Sequence, residues 1–156
     1  MNELNKNRVK IAGFILAGAL AAFVIVYADV ILRARHSYFE AERYVRWHQN
    51  PKLKQEYFDH QFDLKKAGLE KNLNAGKITR QKFDEELEAA QFDRDFRMQE
   101  SSLKYAYQWY KDTYELFSPP ESRWVKLARE KAPQTLAVWK EELREKKIPF
   151  TDTMLE

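Results

Sequence analysis

No charged side chain occurs anywhere in residues 11–28, and after Asp29 the apolar run resumes with Val30, Ile31 and Leu32. As a helix rising 1.5 Å per residue, positions 11–32 reach about 33 Å, which matches a bilayer's hydrocarbon core of about 30 Å. Lys6, Arg8 and Lys10 flank one end of the run, and Arg33 and Arg35 flank the other. Tyr27 falls where interfacial aromatics are favoured, and Asp29 can pair with Arg33 one turn later near the bilayer edge, where a charge costs far less than at the centre. The expectation is an uncleaved single-pass anchor over 11–32 behind a short basic tail, 1–10. The competing reading is a signal peptide cut after Val26-Tyr27-Ala28. The run is longer than an ordinary h-region and leads straight into two arginines, which favours the anchor. The positive-inside count is nearly tied; the short basic tail favours a cytoplasmic N-terminus and an extracytoplasmic domain. Ala17, Gly18, Ala21 and Ala22 repeat at four-residue spacing and are candidates for helix–helix contact in the membrane.

With 156 residues, the chain leaves about 120 beyond the span, enough for one compact domain. Four Gly, five Pro and a third charged residues favour long helices over strands. The 27 basic and 24 acidic residues are spread evenly, unlike the one-sided basic stripe of a nucleic-acid binder, so no nucleic acid is expected. There is no cysteine, which excludes disulfides and thiolate metal sites.

Helix punctuation divides the domain, 33–150. A +4/+3 stripe through Tyr27, Ile31, Ala34, Tyr38, Ala41 and Val45 carries the membrane helix outward as one rod to about residue 48. Asn50-Pro51 caps and opens a helix over 51–75, which Gly76 stops. Thr79 caps the next, with Ile78 and Phe83 placed as a hydrophobic staple. This helix is expected to run unbroken over 80–117, about 38 residues, until Ser118-Pro119-Pro120-Glu121 ends it and caps a helix over 119–131. Pro133 opens a last helix over 133–147, leaving 151–156 as an extended tail. The fold class expected is all-α: one transmembrane helix followed by an antiparallel hairpin or small bundle with one long helix.

The stretch Leu69-x3-Leu73-x2-Gly76-x-Ile78-Thr79-x3-Phe83-x3-Leu87 loosely resembles the small helical hairpins called SHOCT domains, associated with oligomerisation. The likeness is confined to residues 69–87, and Arg80, Gln81 and Lys82 replace the acidic residues usual after the Thr.

Chemistry is sparse. His36, His48 and His60 recur every twelve residues, a rotation of about 120° on a helix, and so share no face. Glu56, His60 and Asp63 do share one, with Asp59 nearby, but a bundle di-metal site needs a second acid–His pair that is missing. They read as a solvated helix face. No nucleophile elbow, phosphate loop or zinc-protease motif occurs, so neither enzyme nor cofactor is expected. Aromatic density stands out instead. Phe92, Phe96, Leu103, Tyr107, Tyr110, Tyr114 and Phe117 form a stripe, interrupted at Gln99-Glu100, that reads as bundle core. Tyr105 and Trp109 lie off it and are candidate partner-docking anchors. The function expected is a membrane-anchored accessory or scaffolding subunit that binds a membrane-protein partner or self-associates. The alternative is an exported soluble protein that binds an apolar or aromatic ligand after signal cleavage.

Overall fold

A computed structural model describes residues 3–155, with side chains from Ile11 onward; Lys6, Arg8 and Lys10 lie outside the described side chains. The described residues form helices and no strand: α1 (Glu3–Gln49), α2 (Pro51–Asn74), α3 (Arg80–Gln99), α4 (Ser102–Leu116), α5 (Arg123–Glu145) and α6 (Asp152–Leu155). The all-helical class and the long apolar N-terminal helix agree with the sequence. α1 is one unbroken rod of 47 residues, about 70 Å long. Residues 11–29 are exposed throughout, and burial begins at Val30 and Ile31. Beyond them Ala34, Tyr38 and Ala41 are buried and Val45 packs on the core, so the stripe passes from an exposed apolar run into a protein core.

The outer half of α1 packs with α4 and α5. Ser37 meets Trp109 and Thr113, Glu42 meets Tyr110, and Tyr44 stacks on Tyr105, so α4 runs antiparallel to α1. Trp124 lies against Tyr38 and Lys131 against Glu42, so α5 runs parallel to α1. Alanines at 41, 106, 128 and 132 let the backbones approach, and Tyr107, Tyr110, Trp139 and Leu143 fill the space between. Each large apolar side chain buried this way contributes about 1.5–3 kcal/mol before entropy is counted.

α2 and α3 form a separate antiparallel hairpin with a thin seam, in which only Leu69, Phe83 and Ala90 are buried apolar residues. Asn50 caps α2 through the Lys52 amide at 3.3 Å, and Thr79 caps α3 through the Lys82 amide at 3.2 Å. Gly76, at φ 67°, holds the left-handed conformation that ends α2, one residue past the stop at Ala75.

Three expectations are corrected. The single helix expected over 80–117 is two. α3 ends at Gln99, Glu100 and Ser101 are extended, and the Ser101 hydroxyl caps α4 at the Lys104 amide. The α3 carbonyls left at the break are taken by the buried Lys54 ammonium, which donates to Met98 at 3.1 Å and Glu100 at 2.6 Å. The helices expected over 119–131 and 133–147 are one, α5, opened by Ser122 rather than Ser118. Pro119 precedes another proline, which disfavours helical dihedrals there. Pro133 is exposed, while Val125, Ala128, Ala132, Thr135, Trp139 and Leu143 run as one buried stripe straight past it, so packing keeps the two halves on one axis. The tail expected to be extended holds the single turn α6, whose Asp152 pairs with Lys140 at 2.7 Å.

Candidate docking surfaces

Phe92 and Phe96 are the most exposed aromatics outside the apolar half of α1, at 73% and 51% exposure. At 100° per residue they point about 180° and 140° away from the Phe83, Ala90 and Arg94 side that faces α2. Their rings stack with centroids 6.3 Å apart. Their +4/+3 spacing groups them with the bundle core, but the break at Glu100 and Ser101 ends that stripe. Leu103, Tyr107 and Tyr110 go inward, while the two phenylalanines remain on the hairpin's outer face. The interruption at Gln99 and Glu100 was the signal for this. On α2, Leu53, Tyr57 and Leu64 are likewise exposed. A shallow groove along the hairpin is lined by Phe58, Phe62, Leu64, Ala90 and Arg94.

The hairpin is fixed to the bundle at two points. Lys54 grips the α3–α4 break, and burial holds its ammonium below the ordinary lysine range against the opposing Glu100 and Glu142 charges. At the α1–α2 corner the Arg43 guanidinium lies over the rings of Tyr44, Trp47 and Tyr57 at 5.0–5.6 Å, with Trp47 also against Phe58. The Arg43 Nε is buried with no hydrogen-bond partner, and the three ring faces are what it has in place of one. Sequence reasoning missed both lysine and arginine, which carry no local signal.

Tyr105 and Trp109, the docking candidates, are half-buried against α1. Tyr105 stacks on Tyr44 at 5.2 Å and donates to Glu100; Trp109 meets the His36 ring edge-on at 6.5 Å. Because α4 lies between α1 and α5, its off-stripe aromatics also find a partner helix. Ala17, Gly18, Ala21 and Ala22 are all exposed, and beyond the helix's own backbone and the neighbouring residues nothing stands within 4 Å of a Cβ placed on Gly18.

A polar cluster crosses the bundle core. Tyr110, 1% exposed, donates to Glu42, which also receives Lys131. Burial raises the Glu42 carboxyl, but the bonds from Lys131 and Tyr110 outweigh it and hold the group below the usual carboxylate range. Burial and then the Glu42 carboxylate push the Tyr110 phenol far above its ordinary value. The cluster is locked by its own members and fixes the register of three helices. Glu56, His60 and Asp63 stand exposed on α2, and Asp59 is bound by Arg94; among the described residues no three acidic or histidine side chains converge to hold a metal ion.

What the fold defines is a class: among the described residues, an all-helical protein with one helix long and apolar enough to cross a membrane. No protein-family model, curated protein or solved structure matches it.

Proposed function

We propose that this chain is a single-pass membrane-anchored, non-enzymatic scaffolding subunit whose α2–α3 hairpin presents a docking face to a partner protein of the same membrane or to a second copy. The observation that carries the reading is the stacked pair Phe92 and Phe96, exposed on the side of α3 turned away from its own seam. Two aromatics held in place on a rigid helix are the kind of anchor that dominates protein interfaces, where one such side chain commonly contributes about 2 kcal/mol or more. Ala17, Gly18, Ala21 and Ala22 offer a second contact within the bilayer, where small residues allow close helix approach. Tyr105 and Trp109 keep partly exposed edges on α4 as further candidate contacts. The test is Phe92→Ser with Phe96→Ser in the full chain, followed by cross-linking in native membranes and purification in mild detergent. The expected result is loss of the cross-linked or co-purifying species with unchanged helical content. Retention of every associated species would overturn the assignment of this face.

The anchor itself expects Met1 or Asn2 at the N-terminus of the native protein and resistance to carbonate extraction. A soluble species beginning at Asp29 would instead support the exported, ligand-binding alternative. Protease protection on sealed membranes tests the extracytoplasmic placement of the domain.

A further inference from the structure

Resting on the anchor reading above, we infer that the elbow joining α4 to α5 sits on the surface of the bilayer that α1 crosses, so that lipid headgroups are the partner of this end of the bundle. The register of α4 against α1 is set by Ser37, whose hydroxyl donates to the Trp109 carbonyl at 3.1 Å and accepts from Thr113 at 2.8 Å. α4 runs antiparallel, so one turn past Thr113 brings Leu116 and Phe117 level with about residues 32–34 of α1. A second observation agrees: from Ile11 onward, Val30 and Ile31 are the first half-buried residues, after a wholly exposed 11–29. The bundle therefore begins within the last turn of the apolar run, not beyond a spacer. The chain then climbs to Trp124, whose ring lies 5.1 Å from that of Phe39, about 10 Å along α1 from Leu32.

A headgroup layer occupies about 5–8 Å on each side of the hydrocarbon core. If the core ends near Leu32, the elbow lies at that layer's inner boundary and Trp124 with Phe39 just beyond its outer edge. The side chains suit both depths. Leu116, at the inner level, is 69% exposed, a large apolar residue with no covering helix. Arg33 and Arg35 stand exposed at the same level, and Arg123 covers the Trp124 ring at 4.4 Å. The acids close by are largely engaged: Asp29 by Arg33 at 2.7 Å, and Glu121 by Arg129 at 2.8 Å. An apolar tip beside exposed arginines, with an aromatic pair and a third arginine farther out, is the mixture of side chains a membrane interface favours. The contact gives the bundle a second foothold beside α1 and restrains its tilt.

The absence of cysteine allows site-specific labelling of the full chain. A nitroxide is attached at Leu116→Cys, at Leu20→Cys within the span, and at Glu145→Cys at the far end of α5, in vesicles of zwitterionic and anionic phospholipid. Its relaxation is measured with oxygen, which concentrates in lipid, and with a water-soluble nickel chelate. The expected ratio of oxygen to nickel effect at 116 is several-fold above that at 145 and below that at 20. A water-like ratio at 116 with a lipid-like ratio at 20 would overturn the elbow contact and leave the span standing. A water-like ratio at 20 would overturn the span and the elbow contact with it.

Discussion

Replacing Lys54 by Met keeps an unbranched apolar stem in the same space and removes only the ammonium that binds the end of α3. In the folded chain Lys54 is 6% exposed, and its ammonium donates to two carbonyls, at 3.1 and 2.6 Å. Hydrogen bonds to a charged group contribute about 1.5–3 kcal/mol each, and the acceptors left behind lie at a break where no amide can replace the donor. Against this stands the cost of burying the charge, which its depressed pKa reports and which the substitution relieves. Two bonds less that relief leave about 3 kcal/mol, or roughly a hundredfold in an opening equilibrium. The effect should be local. α3 makes its substantial contacts with α2 alone, so release at the break frees the hairpin without unpacking α1, α4 and α5. Hydrogen exchange on the full chain in detergent micelles should show faster exchange across α2 and α3, with the amides of α4 and α5 keeping their protection. Unchanged protection in α2 and α3 would refute the pinning argument, and equal loss in all helices would refute the division into bundle and hairpin.

Phe83→Ala should destabilise the hairpin by about 3 kcal/mol, because Phe83 is one of three buried apolar residues in its seam; denaturant melting of the α2–α3 amides reads this. The Glu42 cluster gives a pH dependence. The Glu42 carboxyl is held below its ordinary value and the Lys131 ammonium above its own, so their stabilisation is present between about pH 5 and 10. It is lost as pH falls through the Glu42 value or rises through that of Lys131. Glu42→Gln should therefore lower thermal stability at pH 7 and flatten its decline in acid; parallel acid limbs for variant and parent would contradict this.

The parts of the fold written in local chemistry were legible in the sequence. Asn50-Pro51, Gly76 and Thr79 act within a few residues of themselves, and the apolar run needs only its own composition to announce a membrane-length helix. What was misplaced depends on contacts distant in sequence. The end of α3 is stabilised from Lys54, more than forty residues earlier, and continuity through Pro133 comes from packing on two other helices. The candidate surface suffered from the same blindness. Phe92 and Phe96 share a +4/+3 spacing with true core residues, and only the break after Gln99 separates the two sets. Tyr105 and Trp109 lie off the sequence stripe yet are half-buried against α1, because a central helix has two buried sides and nothing local marks α4 as central.

The arrangement also bears on why a face so small could serve for docking. Two exposed phenylalanines on a free hairpin would lose much of their contact energy to ordering the hairpin on association. Here the hairpin joins the rest of the chain at both ends, and each join is braced by a cation: Arg43 against three rings at the α1–α2 corner, and Lys54 on the carbonyls at the α3–α4 break. The corner rides on α1, which is continuous through the apolar run, so the orientation of the face is tied to the helix axis. Restricting two partners to one membrane plane raises their effective concentration, much as a short linker does, and modest contacts then suffice. If Phe92 and Phe96 form the docking face proposed above, loosening either brace should weaken association although neither cation lies on that face, whereas a surface substitution on the far end of α5 should not.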